Sequence, residues 1–138
     1  IGTRRMSGSF LDTNIILYSA SNDPAKAQRA RDVIAAGGMI NIQVLNETVS
    51  VARRKMRMPW SEIRDILTSV RSLLDVRPLT ITTHEMGLDL SIQHNLSIYD
   101  SMIVAAALEA DCDVLWSEDM QHGMIFAGRL RVANPFAA

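Results

Sequence analysis

The sequence is poor in the features that mark secreted and membrane proteins. It contains one cysteine, Cys112, which excludes an internal disulfide and fits a reducing cytosol. No apolar run is long enough to span a bilayer, and no secretory signal is apparent, so we expect a cytoplasmic protein without a membrane span. Lysine is also scarce, since Lys26 and Lys55 are the only two.

The overall charge is close to neutral, with a formal net charge of −1. This balance argues against a general nucleic-acid coat protein, which would carry a large positive charge. The basic residues are nearly all arginine, whose forked guanidinium suits phosphate groups. Divalent metal bound to several carboxylates would also make the working charge more positive than the count suggests.

The length of 138 residues predicts one domain, which we assign to residues 6–138. We expect residues 1–5 to be a cloning remnant or a disordered N-terminus, with Met6 as the natural start. Short apolar runs alternate with amphipathic stretches, a pattern typical of α/β proteins. The predicted fold is a three-layer α/β/α sandwich around a mainly parallel sheet of about four to five strands.

The predicted elements follow apolar periodicity and helix-capping signals. A turn is expected at residues 12–14, and a capping box at residues 82–85 starts one of the helices. Strands are predicted at residues 9–11, 39–42, 76–79, 114–116 and 130–133, the last at a sheet edge, and helices at 23–36, 43–55, 59–74, 82–94 and 97–110.

Two acidic residues follow predicted strands. Asp12 comes directly after the first strand, and Asp119 comes three residues after the strand that ends at Trp116. In open α/β sheets, ligands bind beyond the carboxyl ends of the strands. Both side chains are therefore expected where such a fold carries out its chemistry.

Two more acidic residues lie on the apolar faces of predicted helices. At 100° per residue, Glu47 shares a side with Val44 and Thr48, and Asp100 shares a side with Ile103 and Val104. A carboxylate on a buried stripe is costly unless it is paired or bound to metal. Both also lie near a helix start, where the helix dipole favours negative charge.

Together these acids form an all-oxygen ligand set, which suits Mg²⁺ or Mn²⁺ rather than Zn²⁺. Such ions activate water and stabilise charge on a phosphate during transfer, and a pair of them would lie ~4 Å apart. Each acid also has a simpler explanation: Asp100 can belong to a capping box with Ser97, residues 12–14 can form an Asx-turn, and Asp119 can be an ordinary loop residue. Glu47 is the hardest to explain in structural terms, but a single inward glutamate can snorkel towards solvent.

The ordered set of segments resembles the PIN-domain nuclease family, specifically the VapC-like toxins of prokaryotic type II toxin–antitoxin systems. The likeness runs from Met6 to the C-terminus. The segments that carry it are residues 10–18, 46–48, 99–107, 115–120 and 130–136.

The resemblance implies a function and a set of site residues. It implies Mg²⁺- or Mn²⁺-dependent cleavage of RNA, often structured RNA such as tRNA, by a homodimer with a cognate VapB-like antitoxin in its active-site groove. By the same resemblance the metal-binding and catalytic acids are Asp12, Glu47, Asp100 and Asp119, with Asn14 and Ser117 as hydrogen-bonding support. Glu118 adds a fifth carboxylate, and the family pattern favours Asp119 as the one that faces the metal.

Three rival functions remain open. A phosphatase with an aspartate nucleophile needs a second Asp where this chain has Asn14, and a lysine after Lys55. A phospho-accepting receiver module also needs a late lysine, and it does not use a helix-borne acid like Asp100. A catalytically inactive PIN-like binding module is disfavoured by the intact acidic set.

Two further features lie outside the acidic set. The basic run Arg53-Arg54-Lys55 with Arg57 either contacts RNA phosphates or complements a helix C-terminus. Trp60 and Trp116 are expected to be packing residues, and base stacking by Trp60 has no support in the sequence.

Overall fold

The computed structural model describes residues 8–137, so the predicted cloning remnant at residues 1–5 and the predicted start at Met6 lie outside the described residues. In chain order the elements are β1 (Gly8–Leu11), α1 (Thr13–Tyr18), α2 (Pro24–Ala35), β2 (Met39–Asn41), α3 (Ile42–Arg54), α4 (Trp60–Leu73), β3 (Asp75–Arg77), α5 (Ile81–His94), α6 (Ile98–Glu109), β4 (Cys112–Trp116), β5 (Ile125–Phe126) and β6 (Leu130–Ala133).

The central sheet has the strand order β3-β2-β1-β4-β6-β5. All neighbouring pairs are parallel except β5 and β6, which are antiparallel. The predicted α/β class with a mainly parallel sheet is confirmed, and residues 8–137 contain six strands instead of four to five. The prediction that β6 forms an edge was wrong, because the two-residue strand β5 covers it and is too short to show in the sequence pattern.

The strand order explains how helices come to cover both faces. The chain first moves from β1 through β2 to β3 at one edge, and then crosses back through α5 and α6 to β4 on the other side of β1. Right-handed crossovers in opposite directions place their helices on opposite faces of the sheet. The core between the layers is built on buried strand side chains, among them Phe10, Leu11, Ile40, Leu115 and Val132.

Two helix starts differ from the sequence expectation. Residues 13–18 form the short helix α1 instead of continuing a turn, because the Asp12 side chain caps it by accepting from the Thr13 backbone N–H. The cap of α5 is Thr80, which accepts from the Thr83 backbone N–H at 3.2 Å, so the predicted capping box at 82–85 starts too late. Glu85 follows Thr82 by three residues, as a capping box requires, whereas the residue three after Thr80 is Thr83, so the pattern favoured the wrong threonine.

Helices α5 and α6 pack closely through a glycine. A Cβ atom at Gly87 would meet the end of the Met102 side chain at 2.7 Å, so a larger residue there would force Met102 to repack. Helix α6 is buried on every side from Ser101 to Leu108, which fixes Asp100 at its first turn. Within residues 8–137, no helix is both long and apolar enough to cross a membrane.

Candidate active site

The pairing of the two central strands brings together the residues that follow them. Leu11 pairs with Trp116, and the Asp12 backbone N–H donates to the Trp116 carbonyl at 2.9 Å. Asp12 and Ser117 therefore lie side by side at the carboxyl edge of the sheet, although 105 residues separate them in the chain. This is the edge at which open α/β folds bind their ligands.

Asp12 is the most enclosed acid of the site, with 5% of its surface exposed. One carboxylate oxygen accepts from the Thr13 backbone N–H, and the other accepts from the Ser117 hydroxyl, each at 2.7 Å. The pKa of Asp12 is raised to about 6, mainly by burial; the nearby charges of Asp100 and Asp119 add to the rise, and the hydrogen bonds from Ser117 and Thr13 oppose it. The fold therefore holds a carboxylate where its ionised form is costly.

Asn14 links two of the acids. Its side-chain nitrogen lies 3.2 Å from Asp12 Oδ2 and 3.1 Å from Asp119 Oδ2, and it donates to both. Its side-chain oxygen accepts from the Glu118 backbone N–H at 3.1 Å, so the amide is held at both ends. The amide separates the two like charges and supplies each with a donor.

Glu47 reaches the site from the middle of α3. Its carboxylate accepts from Gln43 Nε2 at 2.8 Å and from the Thr13 hydroxyl at 3.3 Å. Gln43 also donates to the Tyr99 carbonyl at 2.9 Å, which ties the start of α3 to the start of α6. Thr13 therefore connects Glu47 to Asp12 through hydrogen bonds, and Gln43 holds the start of α3 next to the first turn of α6, which carries Asp100.

Asp100 occupies the first turn of α6. The Ser97 hydroxyl accepts from the Asp100 backbone N–H at 3.1 Å, which is the helix cap that the sequence allowed. Burial raises the pKa of Asp100, and the charge of Asp119 raises it further. Asp100 therefore belongs to a cap and also lies within electrostatic reach of Asp12 and Asp119.

Glu118 is turned into a different cluster. Its carboxylate accepts from the Tyr18 hydroxyl at 2.5 Å and from Lys26 Nζ at 2.8 Å. The hydrogen bond from Lys26, followed by that from Tyr18, lowers the pKa of Glu118. Lys26 is itself held over the Tyr18 ring, 4.5 Å from the ring centre. Asp119, and not Glu118, is the carboxylate that joins Asn14 and Asp12.

The donor set fits a divalent cation in its chemistry. A carboxylate whose pKa is raised first by burial and then by two neighbouring acids is one that a cation would stabilise, and oxygen ligands favour Mg²⁺ or Mn²⁺. Between residues 8 and 137, however, no three His, Cys, Asp or Glu side chains form a ready-made metal-binding group. The Asn14 amide instead lies between Asp12 and Asp119.

The site contains supporting residues that the sequence reasoning missed. All four predicted acids, with Asn14 and Ser117, lie in one connected region. Thr13, Gln43, Tyr18 and Lys26 were not singled out. Gln43 precedes Glu47 by one helical turn, a spacing that could have signalled its contact. Nothing in the sequence connects Lys26 with Glu118, 92 residues away.

Comparison with known proteins gives one family match. The family model described as PIN domain matches residues 9–123, which is most of the chain. No curated protein matches the sequence.

Solved structures share the fold at low sequence identity. A chain of a toxin–antitoxin complex from Klebsiella pneumoniae superposes with a TM-score of 0.70 and 17% identity, over 95% of this chain and 100% of that chain. The Mycobacterium tuberculosis toxin VapC20, described as cleaving the sarcin-ricin loop, superposes with a TM-score of 0.68 and 17% identity, over 81% of this chain and 92% of that chain. A chain of DNA-bound VapBC from Salmonella typhimurium superposes with a TM-score of 0.68 and 18% identity, over 94% of this chain and 99% of that chain.

Proposed function

Because this chain belongs to the PIN domain family, we propose that it is a Mg²⁺- or Mn²⁺-dependent endoribonuclease and the toxin of a toxin–antitoxin pair. The observation that carries the proposal is the buried carboxylate of Asp12, surrounded at one sheet edge by Asp100 and Asp119. Three acids near one another are costly without a cation, and the chain keeps them at the edge where α/β folds bind ligands.

In this proposal the cation is held by Asp12, Asp100 and Asp119, with Glu47 as a further ligand or as support for a neighbour. When bound, a divalent ion supplies Lewis-acid chemistry: it makes water a stronger nucleophile and neutralises charge on a phosphodiester. Ser117 and the Thr13 backbone N–H orient the two oxygens of Asp12. Thr13 and Gln43 orient Glu47, and Asn14 orients Asp119.

The proposed partners are RNA, a VapB-like antitoxin and a second copy of the chain, in the cytoplasm. Three of the similar structures are described as toxin–antitoxin or VapBC assemblies, two of them bound to DNA, and another similar protein is described as a toxin that cleaves the sarcin-ricin loop. These descriptions belong to those proteins, and they support the choice of partners to test here.

The decisive experiment is RNA cleavage by the purified chain, freed of any partner, in Mg²⁺, in Mn²⁺ and in EDTA. Asp100→Asn is compared with Asp89→Asn, a matched change at an exposed position on α5. We expect metal-dependent cleavage that Asp100→Asn abolishes and Asp89→Asn retains. Metal-induced stabilisation in a thermal unfolding assay gives a readout independent of cleavage, and Asp100→Asn should weaken it.

A second candidate function is a PIN module that binds partners without cleaving RNA. The observation that favours it is the lack of a ready-made group of three metal-binding side chains among residues 8–137. This candidate predicts no cleavage and no stabilisation by Mg²⁺ or Mn²⁺. Cleavage that survives EDTA and Asp100→Asn would contradict both candidates and point to a contaminant or another site.

A further inference from the structure

The start of α4 exposes a tryptophan that the sequence analysis assigned to packing. Trp60 leaves 57% of its surface in solvent. The guanidinium carbon of Arg53, on α3, lies 4.7 Å from the centre of its ring. Arg53 is itself fixed by a hydrogen bond of 3.0 Å to the Met58 carbonyl. The indole is therefore held by a neighbouring cation and remains accessible to a ligand.

Helix α4 separates its charges by face. Trp60, Arg64, Leu67 and Arg71 recur at spacings of four, three and four residues and so share one face. These four side chains line a depression of about 360 Å³. The acids Glu62 and Asp65 fall on the other side of the helix at 100° per residue. Asp65 lines a separate depression, shared with Arg31.

We call the face formed by Arg53, Trp60, Arg64, Leu67 and Arg71 the Trp60 surface. Its three arginines form no ion pair with a carboxylate anywhere in the described part of the chain. It therefore combines an exposed aromatic ring, an apolar floor and unneutralised guanidinium groups, while the rest of the molecule carries enough acid to bring the net charge to −1.

The Trp60 surface is connected to the candidate active site through α1, which Asp12 caps, and through α3, which carries both Glu47 and Arg53. Leu17 and Ala20, which follow Asp12 closely in the chain, pack against the buried cluster of Ala52, Met58 and Ile63 that supports the start of α4. Arg53 follows Glu47 by six residues on α3, which is ~9 Å along the helix axis.

We propose that the Trp60 surface binds single-stranded RNA, with an unpaired base stacked on Trp60 and backbone phosphates held by Arg64 and Arg71. Aromatic rings bind bases of unpaired strands through stacking, and arginine supplies the accompanying phosphate contacts. A duplex hides its base faces and fits this surface less well. The inference rests on the proposed ribonuclease function and extends it by assigning a substrate-binding surface outside the acidic site.

The test measures the binding of a short, fluorescently labelled, unstructured RNA by anisotropy in EDTA, so that cleavage does not interfere. Trp60→Leu keeps an apolar side chain and removes the aromatic face, and we expect it to weaken binding about tenfold. Trp60→Phe keeps a stacking ring and should stay within a few-fold of the wild type. The same RNA annealed to its complement should bind more weakly and should respond little to Trp60→Leu.

Salt dependence separates phosphate contacts from general effects on the fold. Each lost phosphate contact lowers the slope of log affinity against log salt concentration by ~0.7 for a single strand. The double change Arg64→Gln with Arg71→Gln should therefore lower the slope by about 1.4. Arg31→Gln, on the other depression, is the matched control and should leave the slope unchanged.

Intrinsic fluorescence reports on stacking directly, because the chain has only one other tryptophan, Trp116. RNA should quench the emission of the wild type, and Trp60→Phe should lose this quenching while still binding. Thermal unfolding checks that each variant is folded, and the exposed arginine changes keep the proposal testable if Trp60→Leu unfolds.

Wild-type affinity of both Trp60→Leu and the double arginine variant would overturn the proposal. A change of oligomeric mass in Trp60→Leu with unchanged RNA affinity would also overturn it, and would identify the surface as a protein contact. If RNA is cleaved in a metal-dependent manner while these variants bind normally, this inference fails and the ribonuclease function stands. If the variants lose binding but no metal-dependent cleavage exists, the surface stands and the proposed catalysis fails.

Discussion

The Glu118 backbone N–H donates to the side-chain oxygen of Asn14 at 3.1 Å, and this contact determines which end of the Asn14 amide faces the acids. With the oxygen engaged, the nitrogen is directed at Asp12 and Asp119. The orientation of the amide thus depends on the backbone of the loop that also carries Asp119. The positions of these acids are therefore sensitive both to a change of Asn14 and to a change in the loop backbone at Glu118.

Replacing Asn14 with aspartate should make the metal-free protein less stable. The substitution removes a donor shared by two carboxylates and adds a third negative charge between them, so we expect a loss of about 1–3 kcal/mol in EDTA. Mg²⁺ or Mn²⁺ should recover more stability in Asn14→Asp than in the wild type. Chemical denaturation with and without metal measures both effects. Asn14→Ala is the control, and equal stability of Asn14→Asp and wild type in EDTA would contradict the explanation.

Removing the charge of Lys26 should reduce cleavage several-fold with little loss of stability. Lys26 holds Glu118 next to Asp119, but its side chain is partly exposed, so solvent screens the ion pair and little stability depends on it. Lys26→Met is compared with Lys55→Met, a change at the only other lysine, and with Lys26→Arg, which should recover most activity. Equal activity of Lys26→Met and Lys55→Met would mean that the contact with Glu118 does not position the loop.

The stability of the metal-free protein should depend on pH through Asp12. Its pKa in the fold, about 6, lies above the ordinary value of 3.8, mainly because of burial, so the folded state favours the protonated form. The contribution of Asp12 to the free energy of unfolding is therefore fully present below about pH 4. It is lost as the pH rises through about 6, and the total loss is about 3 kcal/mol.

Asp12→Asn does not titrate and should escape this loss. In EDTA, its stability relative to the wild type should increase between about pH 4 and pH 7, as measured by denaturant unfolding. Addition of Mg²⁺ should reduce the difference by stabilising ionised Asp12 in the wild type. A difference that stays constant across this range would show that burial does not raise the pKa of Asp12 in the folded protein. Asp89→Asn serves again as the exposed control.

Two fully buried serines should respond in opposite ways to truncation. Ser117 donates to Asp12 at 2.7 Å and accepts from the Met120 backbone N–H at 3.3 Å, so Ser117→Ala should cost about 1–3 kcal/mol and reduce cleavage. The Ser101 hydroxyl has no hydrogen-bond partner within the described residues. Ser101→Ala should therefore be neutral or slightly stabilising in thermal unfolding, and a loss as large as that of Ser117→Ala would contradict this.

Much of the fold could be predicted because its long elements carry strong apolar periodicity. The strand β5, of two residues, and the helix α1, of six residues, could not be predicted because they are too short to show a periodic pattern. The acids of the site could be predicted from their positions. Asp12 and Asp119 follow strands, and Glu47 and Asp100 lie on apolar helix faces, where burying a carboxylate costs free energy unless it is paired or bound to metal.

The remaining parts of the site depend on contacts that sequence spacing does not encode. The partner of Glu118 is Lys26, and the sequence contains nothing that pairs them. Trp60 was assigned to packing because large aromatic residues are usually buried, and its exposure follows from the turn of α3 into α4, which no local pattern fixes. Both cases concern the relative placement of separate elements.

The position of β1 between β2 and β4 has a consequence for the way the protein is made. β1 and Asp12 are synthesised before β4, because Ser117, which follows β4, comes 105 residues after Asp12. Until they emerge, Asp12 lacks this neighbouring strand and its partners Ser117 and Asp119. A growing chain therefore has an incomplete acidic site until β4 and the loop that follows it have been synthesised.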